Sequence, residues 1–413
     1  MEFLGETITA VWLCAAAFFT ARVNLHHTRL TSYVCAAALL AAVFMPFAGG
    51  ESGTGLSVAS LAAFLCALTA WGEKDMPALP FLCLLPCACA GLVYGSAVDA
   101  ALSAAAFFLL TGLFMRENQP ARSTGFWAAL PLFGIALARL APSSQALGAA
   151  GIIITAAGFG AAFGLFPFQS WLINNSAARL PAAAFIFSVA APLAACAGAF
   201  CTAPFISAVP AMKTLLLWLT ALSCVVLPLL AFMEERTPRK IALLLAGQTG
   251  WIFGAGLIVP AFTDAAGLIL LSYAPAAFGL IAVSSAIAEK HNDAPDALKG
   301  LYYNAPLGAA ALLFFACTCA GLPMLTGFYG RFEFLKLLMA RGHALIAAAF
   351  LLALALSCAG FLHLVKPVFA VAGENAETDF FSAPQAAVIA AVFTALAAAT
   401  VWPAILYSAA GMP

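Results

Sequence analysis

Charge is what this chain of 413 residues has least of: 8% of it is Asp, Glu, Lys or Arg, against roughly 25% in soluble globular chains. Hydrophobic residues make up 64%. No soluble fold could bury that much apolar surface, because exposed area does not shrink fast enough with size. The formal net charge is zero, which gives no support to nucleic-acid binding or to a polybasic membrane-surface role. The twelve cysteines form no CxxC pair and are scattered through apolar stretches. They read as small buried apolar residues. Zinc, iron–sulfur and thiol-redox chemistry therefore lack support, and no metal site or cofactor is expected on this chain. There is no P-loop and no strand-led GxGxxG, and Ser and His form no recognisable nucleophile arrangement. A basic leader is missing too: Glu2 and Glu6 precede the first apolar run, unlike a cleavable signal.

What the chain has is apolar runs. They fall near 8–21, 30–48, 56–72, 76–95, 97–115, 125–140, 146–166, 181–201, 212–233, 241–260, 265–288, 302–320, 324–340, 344–365 and 385–408. A run of about 17–25 residues crosses a hydrocarbon core as a helix. In lipid each backbone polar group must be satisfied internally, so spanning segments are helices or closed barrels. Barrels show short alternating segments, which these are not. The expected fold is an all-α polytopic membrane protein with roughly 13–15 transmembrane helices, some of them halves of one broken helix. One transmembrane domain covers 1–413, and the short connections leave no room for an extramembrane catalytic domain. Arg22, Arg29, Arg116, Arg122, Arg179, Arg236, Arg239, Lys240, Lys290 and Lys299 fall on alternate connections, with Arg139 and Lys213 as exceptions on the intervening ones. The positive-inside rule places these in the cytoplasm and the N-terminus outside.

Four regions put polar groups at membrane depth. The first runs from Gly160 through Pro167, Phe168, Gln169 and Trp171 to Asn174, followed by Pro181 and Pro192. Proline inside a helix frees a carbonyl, and broken helices are tolerated where protein or a polar cavity surrounds them. A plain proline kink is the competing reading. In the second, Arg239 and Lys240 open an apolar helix that carries Gln248, Gly250 and Trp251. The two cations can snorkel as interface anchors, whereas an amide within a span bonds a neighbouring helix. The third is Gly321-Leu322-Pro323, then Thr326-Gly327, then Arg331, Glu333 and Lys336. The chain must break at Pro323. Glu333 and Lys336 share a helical face, and Arg331 lies off it and needs another partner or water. These charges are either intramembrane and functional or lie in interfacial turns of a helix ending near Arg341. The fourth is His363 and Lys366 before Pro367, a proton-accessible pair or a helix end. The Gly160/Gly164 and Gly250/Gly254 spacings read as close helix packing.

These motifs resemble one family, the antiporter-like membrane subunits of respiratory complex I, with membrane-bound hydrogenases and multisubunit cation/proton antiporters as relatives. Gly164 to Asn174 looks like the family's G-x-x-P-F-H-x-W-L-P-D signature. Arg239 to Trp251 looks like K-R-x-L-A-Y-S-S-I-x-H-x-G-Y, with Gln248 at the His position. Gly321 to Phe332 looks like G-I-P-P-x-x-G-F-x-G-K-F. The resemblance covers roughly residues 150–340, and the antiporter-like core it implies spans about 100–370. It implies two inverted five-helix repeats with broken helices, in a row of similar subunits of a prokaryotic inner membrane. It further implies a membrane-arm subunit, without a redox site of its own, of a proton- or ion-translocating NADH-quinone oxidoreductase or hydrogenase. Partners would be other membrane subunits and redox subunits carrying iron–sulfur clusters. A cation/proton antiporter subunit and a non-translocating scaffold are the alternatives.

The family's proton relay uses a buried Glu, a central Lys, a Lys on the next helix and a Lys or Glu in the second broken helix. Here the central Lys position falls on Ala191, and 181–201 holds no Lys or Glu. The spans over 76–115 offer only Asp99, at a turn. Arg239 or Lys240 matches the next basic site. Arg331 stands where the second broken helix carries Lys, and Arg does not deprotonate in proteins. The remaining relay candidates are Gln248, Glu333, Lys336, His363 and Lys366. The expectation is a kept scaffold with part of its relay lost.

Overall fold

The computed structural model describes residues 210–258, 265–291, 298–370 and 383–409, and within 153–199 the positions 153, 157, 160, 164–167, 169, 170, 173, 187, 188, 191, 192, 195 and 199. Among the described residues from Pro210 onward the regular elements are helical: α1 (Pro210–Met233), α2 (Thr237–Ile258), α3 (Ala265–His291), α4 (Leu301–Asn304), α5 (Pro306–Ala320), α6 (Thr326–Ala340), α7 (Ala344–Val365), α8 (Ala383–Val401) and α9 (Ala404–Ala409). A 3₁₀ turn, Lys366–Phe369, follows α7. Among the described residues four segments are long and apolar enough to cross a membrane: Ala211–Met233, Thr237–Ile258, Ala265–Ser284 and Ala344–Phe369. The chain is an integral multi-pass membrane protein.

The boundaries follow local chemistry. Proline at the first helical position starts α5 at Pro306, where its missing N–H would be unpaired anyway. That Pro divides the apolar run expected over 302–320 into α4 and α5. Pro403 likewise divides the run over 385–408 into α8 and α9. α5 stops at Gly321, which is left-handed at φ 79°. The Gly321 and Leu322 amides both donate to the Cys317 carbonyl, at 3.1 and 3.2 Å, closing the helix end. Leu322, Pro323, Met324 and Leu325 form the break before α6 starts at Thr326. At its far end α6 gives way to Arg341 and a left-handed Gly342.

α2 is the central element. Every residue from Ile241 to Ile258 is buried, as expected of a helix apolar all round. It packs against α1, α3, α6 and α7. α1 and α7 instead expose Leu215, Trp218, Leu222, Leu345, Leu351 and Leu352, a surface suited to lipid. Close approach to α2 depends on small residues. A Cβ on Gly250 would sit 2.6 Å from Cys224 Sγ of α1, and one on Gly254 3.1 Å from the Phe350 ring of α7. The 164–167 turn docks on α1, where the Phe166 amide donates to Ser223 Oγ at 2.9 Å.

Candidate functional site

The break between α5 and α6 positions one charge in the core. Arg331 lies in the second turn of α6 and is 1% exposed. Its Nη2 donates to Gln248 Oε1 of α2 at 2.7 Å and to the Cys319 carbonyl of α5 at 2.6 Å. The guanidinium carbon lies 5.5 Å from the centre of the Trp251 ring, within cation–π range. Trp251 follows Gln248 by three residues on α2, so both occupy one helical face. Trp251 is itself held by Phe350 at 4.9 Å and Phe334 at 6.1 Å between ring centres. Gly321 completes the seat: a Cβ there would overlap Arg331 Nη1.

No carboxylate approaches this guanidinium among the described residues. The ionisable groups near enough to act on it electrostatically are the thiols of Cys319, Cys358 and Cys224 and the phenol of Tyr273. Tyr273, fully buried on α3, donates to the Phe187 carbonyl at 3.1 Å and to the Leu245 carbonyl at 3.3 Å. Five residues beyond Phe187 stands Pro192, which has no N–H to return. The hydroxyl thus supplies a donor where the helix of Pro192 lacks one. Several buried polar atoms of this region have no hydrogen-bond partner: Arg331 Nε and Nη1, Gln248 Nε2 and Trp251 Nε1.

The other sequence candidates lie elsewhere. Glu333 and Lys336 form an ion pair at 2.9 Å on an outward part of α6, with side chains 23% and 57% exposed. Arg239 and Lys240 are half-buried in the first turn of α2. Lys240 is eight residues before Gln248, about 12 Å along the axis. His363 and Lys366 are exposed where α7 ends, and the His363 ring packs 5.4 Å from Phe232. Of the proline positions, Pro167 sits in the 164–167 turn, Pro192 is buried in helix, and Pro323 is in the α5–α6 break. Pro181, Asp99 and Trp171 lie outside the described residues. Ala191 is 0% exposed, so the expected central Lys position is packed core without charge. Sequence reasoning paired Gln248 with no partner and missed the Cys319 carbonyl. Only the spacing of Trp251 from Gln248 carried a signal for the rest of the cluster.

Residues 100–357 match the family described as NADH:quinone oxidoreductase/Mrp antiporter, transmembrane. The chain belongs to that family. This member is 27% identical over 231 residues to NADH-quinone oxidoreductase subunit N of Deinococcus radiodurans, covering 55% of this chain and 46% of that protein. It is 28% identical over 331 residues to subunit N of Cereibacter sphaeroides, covering 74% and 72%. The match thus spans about half the length of the first relative and about three-quarters of the second. Solved structures share the fold across nearly the whole chain. The archaeal membrane-bound sulfane sulfur reductase gives a TM-score of 0.82 at 15% identity, covering 98% of this chain and 96% of that one. Respiratory complex I from Thermus thermophilus gives 0.74 at 24%, covering 98% of each. The Mrp complex from Dietzia sp. DQ12-45-1b gives 0.75 at 16%, covering 99% and 95%.

Proposed function

We propose that this family member is a membrane-arm subunit of a redox-driven, proton- or ion-translocating complex of the NADH-quinone oxidoreductase or related hydrogenase type, and that its own proton relay is reduced or lost. Family membership and the subunit N relatives support the first part. The observation that carries the second is Arg331: fully buried at the α5–α6 break, bonded to Gln248 and Cys319, and unable to give up a proton. A fixed cation biases its neighbours electrostatically but does not hand a proton on. On this reading two inverted five-helix repeats build the core, neighbouring membrane subunits and iron–sulfur subunits complete the complex, and the setting is a prokaryotic inner membrane.

A gentle-detergent pull-down from native membranes, with partners identified by mass spectrometry, tests the first part. Iron–sulfur subunits are expected among them. Recovery of small membrane subunits alone would move the assignment to a cation/proton antiporter module. Proton uptake by the purified chain in liposomes tests the second part and is expected at the rate of empty vesicles. Robust uptake abolished by Arg331→Gln or Lys240→Gln would overturn it.

A further inference from the structure

We propose that the Arg331 site holds a small monovalent anion, chloride in the cell, as the counter-charge of the guanidinium. The inference rests on Arg331 being charged and buried, and stands whichever complex the chain serves. Arg331 is 1% exposed and makes no ion pair with any described residue. The unpartnered buried nitrogens around it are all donors: Nε and Nη1 of Arg331 itself, Nε2 of Gln248 and Nε1 of Trp251. Gln248 touches the guanidinium directly, and the Trp251 ring lies 5.5 Å from it. Four donor nitrogens, two of them on the guanidinium itself, complement an anion; the other unpartnered buried side-chain atoms among the described residues are Oγ1 of Thr326, Oγ of Ser357 and Oε1 of Gln169.

Among the described residues no carboxylate supplies that anion. Within the apolar runs the only carboxylates are Asp99 and Glu333. Glu333 is spent on Lys336, with both its oxygens bonded to Nζ at 3.0 and 2.9 Å. The thiols beside Arg331 are weak acceptors and neutral when protonated. A buried charge without compensation is unfavourable at membrane depth. A halide satisfies it with no directional demand, accepting from any of the donors.

The test uses the full purified chain in lipid nanodiscs. Its unfolding temperature is followed as chloride replaces gluconate at constant ionic strength. The expected result is a saturating rise of about 2–4 °C at chloride about a hundredfold above its dissociation constant, absent in Arg331→Gln. Equal melting of the wild-type chain in both salts would overturn the proposal, as would the same chloride shift in Arg331→Gln. Chloride dependence seen only in Asp99→Asn would also overturn it, by showing that Asp99 is the counter-charge. A second readout needs no Arg331 variant. Bromide should quench part of the fluorescence of the wild-type chain saturably, and that part should vanish in Trp251→Phe. Quenching linear in bromide for both proteins would refute the site.

Discussion

Gly321 and Gly342 form a matched pair that isolates what seating Arg331 is worth. Both are left-handed, at φ 79° and 78°, and both close a helix. A Cβ at Gly342 meets nothing within 4 Å, whereas a Cβ at Gly321 overlaps Arg331 Nη1. Gly342→Ala should therefore incur only the backbone strain of an L-residue in the left-handed region, about 1–2 kcal/mol. Gly321→Ala incurs the same strain and must also move the guanidinium. That movement threatens the bonds from Nη2 to Gln248 and to the Cys319 carbonyl. Hydrogen bonds to a charged group contribute about 1.5–3 kcal/mol each. Partial relaxation of a long side chain recovers some of this, so we expect Gly321→Ala to be destabilising by about 2–3 kcal/mol more than Gly342→Ala. Denaturant unfolding of the purified chain in mild detergent, followed by tryptophan fluorescence, measures both. In the Arg331→Met background the overlapping atom is gone, and the excess should fall to near zero. Equal losses for the two alanines in the wild-type background would refute the reasoning.

Tyr273→Phe removes the hydroxyl bonded to the Phe187 and Leu245 carbonyls and should cost about 1–3 kcal/mol in the same unfolding assay. Hydrogen exchange should rise around Leu245 and Phe187, and unchanged protection there would contradict the link. The Glu333–Lys336 pair is partly exposed, so Glu333→Gln with Lys336→Met should give a coupling energy below about 1 kcal/mol in a double-mutant cycle. A coupling of several kcal/mol would show that this face is covered in the assembled protein. Arg341 Nη1 donates to the Ile258 carbonyl at 3.1 Å, at the end of α2. Arg341→Ala should therefore loosen the last turn of α2, read as faster exchange of its final amides, without altering the Arg331 site.

Helix placement in the second half of the chain was legible because length and apolar continuity decide it. The runs read at 212–233, 241–260, 265–288, 324–340 and 344–365 lie within a few residues of α1, α2, α3, α6 and α7. The two runs that came out divided contain Pro306 and Pro403, whose local effect is readable but was outweighed by the hydropathy around them. The core polar pair was half legible. Gln248 stood out as an amide in an apolar helix, and Arg331 as a charge off the Glu333–Lys336 face. Their partnership joins residues 83 apart in sequence, and no local pattern encodes a contact that far across the chain. The Cys319 carbonyl was invisible for a different reason: a backbone acceptor has no residue type to betray it.

The geometry around Arg331 also bears on why, in the reading proposed above, an arginine is not a casual replacement for a lysine. An ammonium is a compact point charge on a flexible stem, and burial shifts its protonation readily. A guanidinium is wider and planar. It needs room for a second terminal nitrogen, which here falls on a residue without a side chain, Gly321. It also gains from an aromatic face, which Trp251 supplies at 5.5 Å. Nη2 alone satisfies both acceptors, and a lysine side chain is one bond shorter. What a lysine would leave unused is the space over Gly321 and the flat contact with Trp251. Those two features fit a guanidinium rather than an ammonium, and on the reading proposed above they suit a subunit that orders or polarises its neighbours rather than one that loads and unloads protons at this position.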